Sequence, residues 1–207
     1  LDRYLRDRGS ELIEEMPFMR SEDQQYIHYR KGSVVMMAIL DRLGEERVNT
    51  ALKSFLEAYK YSNDPYPTTL DLQAALNAEA TDDEQQFIAD LFERITLYDL
   101  KMLSAEIEET SDGKFAVTMT VSAGKFEANG DGRETEGSVD EYIDIALFTG
   151  DPEDTSGDTT VIYNQKHQLT SGENTITVTV DEKPAYAGVD PFVKMIDRDS
   201  GDNVIQL

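Results

Sequence analysis

The feature that most constrains this chain is a change of hydrophobic period near Leu103. Before it, apolar residues recur at the three-to-four spacing of helices. After it they alternate, as in strands with one buried face. Helical pattern first and strand pattern second argues against alternating βαβ units. The expected class is therefore α+β in two domains: a helical part over residues 1–103 and an antiparallel, immunoglobulin-like β-sandwich over 104–207.

The helical part carries its own punctuation. "SVVMMAILDRL", after Gly32, is apolar nearly all round, as in a helix buried on most faces, and Gly44 is placed to cap its C-terminus. "EERVNTALKSFLEAY" puts Val48, Ala51, Leu52, Phe55, Leu56 and Tyr59 at helical spacing, and "SNDPYP" reads as a loop. Thr69 reads as the cap of a short helix with Leu72, Ala75 and Leu76. Thr81 and Glu84 form a capping box ahead of a helix whose apolar face runs from Phe87 through Ile88, Leu91 and Phe92 to Ile95.

In the second part, "AEIEET" and "KFAVTMTVSA" flank the turn "SDG", with Phe115, Val117, Met119 and Val121 sharing a face. "EYIDIALFT", "TTVIYNQKHQL" and "NTITVTV" continue the pattern, and "DPFVKMID" reads as the last of six or so strands.

Composition narrows the function. A net charge of -23 repels nucleic acid and anionic membrane, so neither is an expected partner. With no cysteine, disulfides, thiolate chemistry and Cys-ligated zinc are excluded. No apolar run approaches the ~20 residues that span a bilayer. The two histidines, His28 and His167, belong to no H-E-x-x-H pair, so no metal ligand is assigned in this chain. There is no G-x-S-x-G elbow, P-loop or G-x-G-x-x-G. "ANGDGRETE" and "DRDSGDN" read as Asx-rich turns rather than calcium loops.

That leaves "YIHYRKGS", where a polar aromatic patch runs straight into an apolar helix. A tyrosine phenol is a hydrogen-bond donor suited to a tetrahedral oxyanion. From the residues alone, the commoner role for Tyr29 is a half-buried ring with a backbone partner, and Arg30 and Lys31 read as solvated charges at a helix start.

The wider stretch "YIHYRKGSVVMMAILDRLGEERVNTALKSFLEAY", followed by "YPTTLDLQAAL", resembles the gluzincin metallopeptidases, the aminopeptidase N family. The resemblance rests on a Tyr-x-Lys-Gly element (Tyr29, Lys31, Gly32), an L-G-E element (Leu43, Gly44, Glu45) and a T-x-x-D-L element (Thr68, Asp71, Leu72). "EDQQYIHYRKGS", "FERITLYD", "KHQLTSGENTITVTVDEKPAYAGVDP" and "IDRDSGDNV" are similar to the bacterial branch in which the peptidase is fused to an ABC-transporter permease.

The resemblance implies that Tyr29 is catalytic, donating to the oxyanion of the tetrahedral intermediate. It implies that Lys31 and Gly32 are structural, Lys31 pairing with a nearby carboxylate, while His28 stays open between a supporting hydrogen bond and a packed ring. The zinc motif and the downstream glutamate ligand are missing. With no initiator Met, the chain then reads as the C-terminal part of a zinc-dependent parent, inactive alone. Its implied partners are the upstream zinc-binding half, a peptide substrate and a fused membrane permease. The parent would be bacterial and membrane-anchored, with the peptidase part outside the bilayer and this segment soluble. A second reading keeps the same fold as a non-catalytic interaction module of a transporter-associated protein.

Overall fold

A computed structural model describes residues 1–154, 157 and 159–207. The fold class is α+β, with helices first and antiparallel sheet after. The helices are α1 (Asp2–Arg8), α2 (Gly32–Leu43), α3 (Glu45–Tyr59), α4 (Thr69–Ala78) and α5 (Asp82–Phe92). The strands are β1 (Ile95–Glu109), β2 (Phe115–Ala128), β3 (Glu134–Gly137), β4 (Asp140–Phe148), β5 (Val161–Thr170), β6 (Gly172–Val180), β7 (Tyr186–Val189) and β8 (Val204–Gln206). Two compact units result: Leu1–Thr96 with Glu127–Glu134, and Leu97–Phe126 with Thr135–Leu207. No helix among the described residues is long and apolar enough to cross a membrane.

In the first unit local chemistry sets the boundaries. Gly44 adopts φ 88°, the left-handed conformation that ends α2 and lets α3 begin at the next residue. Helix α4 is capped by Thr68, one residue earlier than Thr69, because Asp71 reaches back to the Thr68 backbone N–H at 2.7 Å. The Tyr59 hydroxyl donates to the same Asp71 carboxylate at 2.8 Å, tying α3 to the start of α4. In the capping box of α5, Glu84 accepts the Thr81 N–H at 2.9 Å and also pairs with both terminal nitrogens of Arg47 on α3, each at 2.7 Å. Phe87, Ile88, Leu91 and Phe92 supply the buried face of α5.

The period switch falls at Ile95 rather than near Leu103. Ile95–Tyr98, Leu100 and Met102 are buried, so the first half of β1 lacks the polar alternation that marks a strand. Ile95 therefore continues the spacing of Leu91 and Phe92 in sequence while beginning a strand in space.

The strands form two four-stranded sheets. In one, β1, β2 and β3 lie in that order and β6 pairs with β2; in the other the order is β5-β4-β7-β8. Antiparallel register sets Val117 opposite Val178 and Met119 opposite Ile176, all four buried. Across β4 and β7, Ile145 faces Val189 and Leu147 faces Ala187. The hairpin at "SDG" closes through the Thr110 N–H to the Lys114 carbonyl at 2.8 Å, with Gly113 at φ 79°.

"DPFVKMID" is not a strand. Asp190 and Val193 take left-handed φ values of 42° and 52°, and the Asp190 carboxylate accepts the N–H groups of Lys194 and Met195, both at 2.9 Å. A side chain thus takes the backbone donors that a ladder would need. The segment keeps one isolated parallel bridge, Tyr98 to Asp197, and the chain closes instead with β7 and β8. The two Asx-rich stretches are turns. Asn129 Oδ1 accepts the Arg133 N–H at 2.8 Å, and Asp199 Oδ1 accepts the Gly201 N–H at 3.2 Å.

Candidate functional site

Residues Tyr26–Lys31 wind as a single π-turn that runs without a break into α2. A π-turn inserts an extra residue into a helix and persists only where its surroundings hold it; such turns are concentrated at functional sites. Here the holding contacts can be named. Ile27 is fully buried. The Tyr26 ring stacks on Tyr4 of α1 at 6.2 Å between centroids, and Arg30 pairs with Asp7 of α1. The Ser33 hydroxyl donates to the carbonyls of Tyr29 and Arg30 at 2.8 and 3.0 Å.

Gly32 closes the turn because nothing larger fits. A Cβ there would lie 2.8 Å from Cε2 of Phe18, whose ring is set edge-on against Phe92 at 5.0 Å.

Lys31 is the residue the turn turns inward. The reading of Lys31 as a solvated charge fails: the side chain is 0% exposed, whereas Arg30 keeps partial exposure beside Asp7. Lys31 Nζ lies 3.6 Å from Glu15 Oε1, too long for a hydrogen bond, and 5.3 Å from the Tyr4 ring centroid. Glu15 is the hub of the cluster. It accepts the Tyr4 hydroxyl on Oε1 and Arg8 Nε on Oε2 at 2.5 Å, while its backbone N–H bonds the Gly130 carbonyl at 3.0 Å.

Burial pushes the Lys31 ammonium down to about 8, against the opposing pull of Glu15. Burial first, and then the Glu15 carboxylate, raise the Tyr4 phenol far above its ordinary range, and the same causes push Tyr26 up to about 12. The cluster therefore holds its phenols neutral and its carboxylate amid cations.

Tyr29 points the other way. It is 70% exposed rather than half-buried, and its hydroxyl has no hydrogen-bond partner among the described residues. His28, also exposed, packs its ring on Tyr29 at 4.7 Å with a 51° tilt. The resulting pattern is an outward phenol and imidazole flanked by pinned residues. A hollow of about 460 Å³ lies beside the buried cluster, lined by Arg8, Leu12, Ile13, Glu15, Tyr26 and Gly130. Tyr29 is not among its lining residues.

No group of three or more His, Cys, Asp or Glu side chains among the described residues is disposed to hold a metal ion. His167 bonds the Tyr163 hydroxyl at 2.6 Å on β5, and burial lowers its basicity.

Neither a family model nor a curated protein matches the chain. The geometry around Tyr29 thus stands on its own residues. Sequence reasoning picked out Tyr29, Lys31 and Gly32 and missed Tyr4, Arg8 and Glu15. "LDRYLRDRGSELIEE" reads as one charged helix, but α1 stops at Arg8 and Glu15 is buried beyond it. Tyr4 and Arg8 are four residues apart and share a face of α1, but Glu15 reaches them from beyond the end of that helix, through a loop.

Proposed function

We propose that this chain is the C-terminal part of a zinc-dependent, aminopeptidase-like metallopeptidase of the gluzincin type. In this reading Tyr29 stabilises the transition state and the β-rich part is an accessory domain. Zinc, peptide substrate and any fused permease belong to the parent and its other half. The observation that carries the reading is the presentation of Tyr29: an exposed, unpartnered phenol on a turn whose neighbours are fixed. A donor aimed at a developing oxyanion is most effective when it needs no rearrangement to act, and one such donor is typically worth ~3 kcal/mol. The hydroxyl donates a hydrogen bond; Ser33 and the buried cluster keep the backbone beneath it in place.

The test is kinetic. In the parent containing the zinc-binding half, aminoacyl substrates should be hydrolysed. Tyr29→Phe should lower kcat roughly a hundredfold with little change in KM, because the contact forms only once the carbonyl carbon is tetrahedral. Normal kcat in Tyr29→Phe would remove the catalytic role of Tyr29, and no hydrolysis by a parent with an intact H-E-x-x-H would overturn the peptidase reading and leave the interaction-module alternative.

A further inference from the structure

We infer that Glu15 is a positioning residue for Tyr29, acting through Lys31 to hold the π-turn that presents the phenol. The inference rests on the reading of Tyr29 as the oxyanion donor, but its physical content stands without it.

Three ties join the turn to the segment ending at Glu15: the Tyr26–Tyr4 stack, the Arg30–Asp7 ion pair and the Lys31–Glu15 ion pair. Of the two ion pairs, only the second is closed to solvent at both ends, with side chains 0% and 5% exposed; the Tyr4–Tyr26 stack is buried beside it. An exposed ion pair holds its partners weakly, because water and salt compete for each charge. A buried one holds them closely, because a displaced ammonium has no water to replace its carboxylate. Lys31 Nζ makes no hydrogen bond, so Glu15 is its nearest counter-charge and Tyr4 supplies only a ring face.

Glu15 is itself immobilised from three sides, by Tyr4, Arg8 and the Gly130 carbonyl. Fixing Lys31 fixes the last residue of the π-turn. Gly32, pressed against Phe18, fixes the residue after it. Tyr29 lies two residues before this anchor, with its own carbonyl held by Ser33. The direction of its side chain is therefore set by contacts that the ring itself does not make.

The experiment uses the 207-residue chain and its joined parent. Backbone 15N relaxation dispersion at His28, Tyr29 and Arg30 is compared in wild type, Glu15→Gln and Val48→Ala. Val48 is buried on α3, so its truncation lowers stability without touching the cluster. Glu15→Gln should introduce microsecond-to-millisecond exchange at Tyr29 that Val48→Ala does not. In the parent it should lower kcat about tenfold or more with KM nearly constant, as misplacement of a catalytic group does.

If Glu15→Gln does not fold, Lys31→Met carries the same test, since it leaves Tyr4 and Arg8 on Glu15 and removes only the tie to the turn. Tyr29 relaxation that is unchanged in the folded variant, or changed equally by Val48→Ala, overturns the inference. New exchange at Tyr29 with an unaltered kcat upholds the positioning and removes the role of Tyr29 as oxyanion donor instead.

Discussion

Lys31 Nζ and Glu15 Oε1 sit 3.6 Å apart with neither side chain open to solvent. The lysine is nevertheless held at about 8, so desolvation outweighs the attraction of the carboxylate. The groups that face it are Glu15, Arg8 and Tyr4; the Glu15 carboxylate and the Tyr4 ring face favour its charge, and Arg8 opposes it.

A pH dependence follows from that balance. The folded value is depressed below the unfolded one of ~10.4, so the unfolded chain binds more protons between them. Below pH 8 the penalty of the buried ammonium is fully present; it is relieved as pH rises. Wild type should gain stability relative to Lys31→Met between pH 8 and 10, by up to about 1.4 kcal/mol per pH unit. Above pH 10 the raised phenols of Tyr4 and Tyr26 lower the stability of both proteins, so the comparison is confined to this window. Urea midpoints of the two proteins across this window check it, and parallel curves would refute it.

Gly32→Ala should destabilise the first unit by about 1–3 kcal/mol, the usual cost of overpacking a closed site. The new methyl meets Phe18 at 2.8 Å, and Phe18 cannot swing freely while Phe92 lies against it. Phe18→Leu in the same background should recover part of the loss. Thermal denaturation of the three proteins decides the matter.

Glu84 performs two tasks that substitution can separate. Glu84→Gln keeps an oxygen for the Thr81 N–H but loses the charge that Arg47 pairs with; Glu84→Ala loses both. Arg47 is 37% exposed, so the ion pair contributes at most about 1 kcal/mol, and the cap about 1 more. Chemical denaturation should rank wild type above Glu84→Gln and Glu84→Ala last. Equal stability of the two variants would show that the cap contributes nothing.

Asp190 gives the second unit a dependence of opposite sense. Burial raises its carboxyl to about 7, although the Lys194 and Met195 N–H groups favour the charged form. The folded value exceeds the unfolded one, so its contribution is fully present below about pH 3.9 and is lost as pH rises through 7. Between pH 4 and 7, wild type should lose stability relative to Asp190→Asn, by up to about 1.4 kcal/mol per pH unit. A wild-type curve that stays level with, or climbs against, the Asn variant would contradict this.

The helix spans, the Gly44 stop, the Thr81 box and the alternating strands were legible because each is written in residues close in sequence. Val117, Met119 and Val121 alternate with polar neighbours, and β2 presents one face to a core. Where a strand is buried on both faces, as in Ile95–Leu100, the alternation vanishes and the boundary slips. "DPFVKMID" misled because apolar content resembles a strand even when Asp190 captures the backbone donors. At the site, Tyr29, Lys31 and Gly32 form a local word, whereas Glu15 joins them only through a loop. The inward turn of Lys31 has no signature in composition, since a lysine at a helix start is ordinarily wet.

The π-turn also bears on how this protein can be compared with others. It carries one residue more than an α-helical turn, and each residue of an α-helix advances the direction of the side chain by about 100°. A homologue wound as plain α-helix through Tyr26–Lys31 would have to lack one residue here, or rotate its tyrosine to another face. A one-residue gap in an alignment between Tyr26 and Gly32 is therefore a change of geometry rather than noise. Column identity at Tyr29 means the same side-chain direction only when the residue count from Tyr26 to Gly32 is kept.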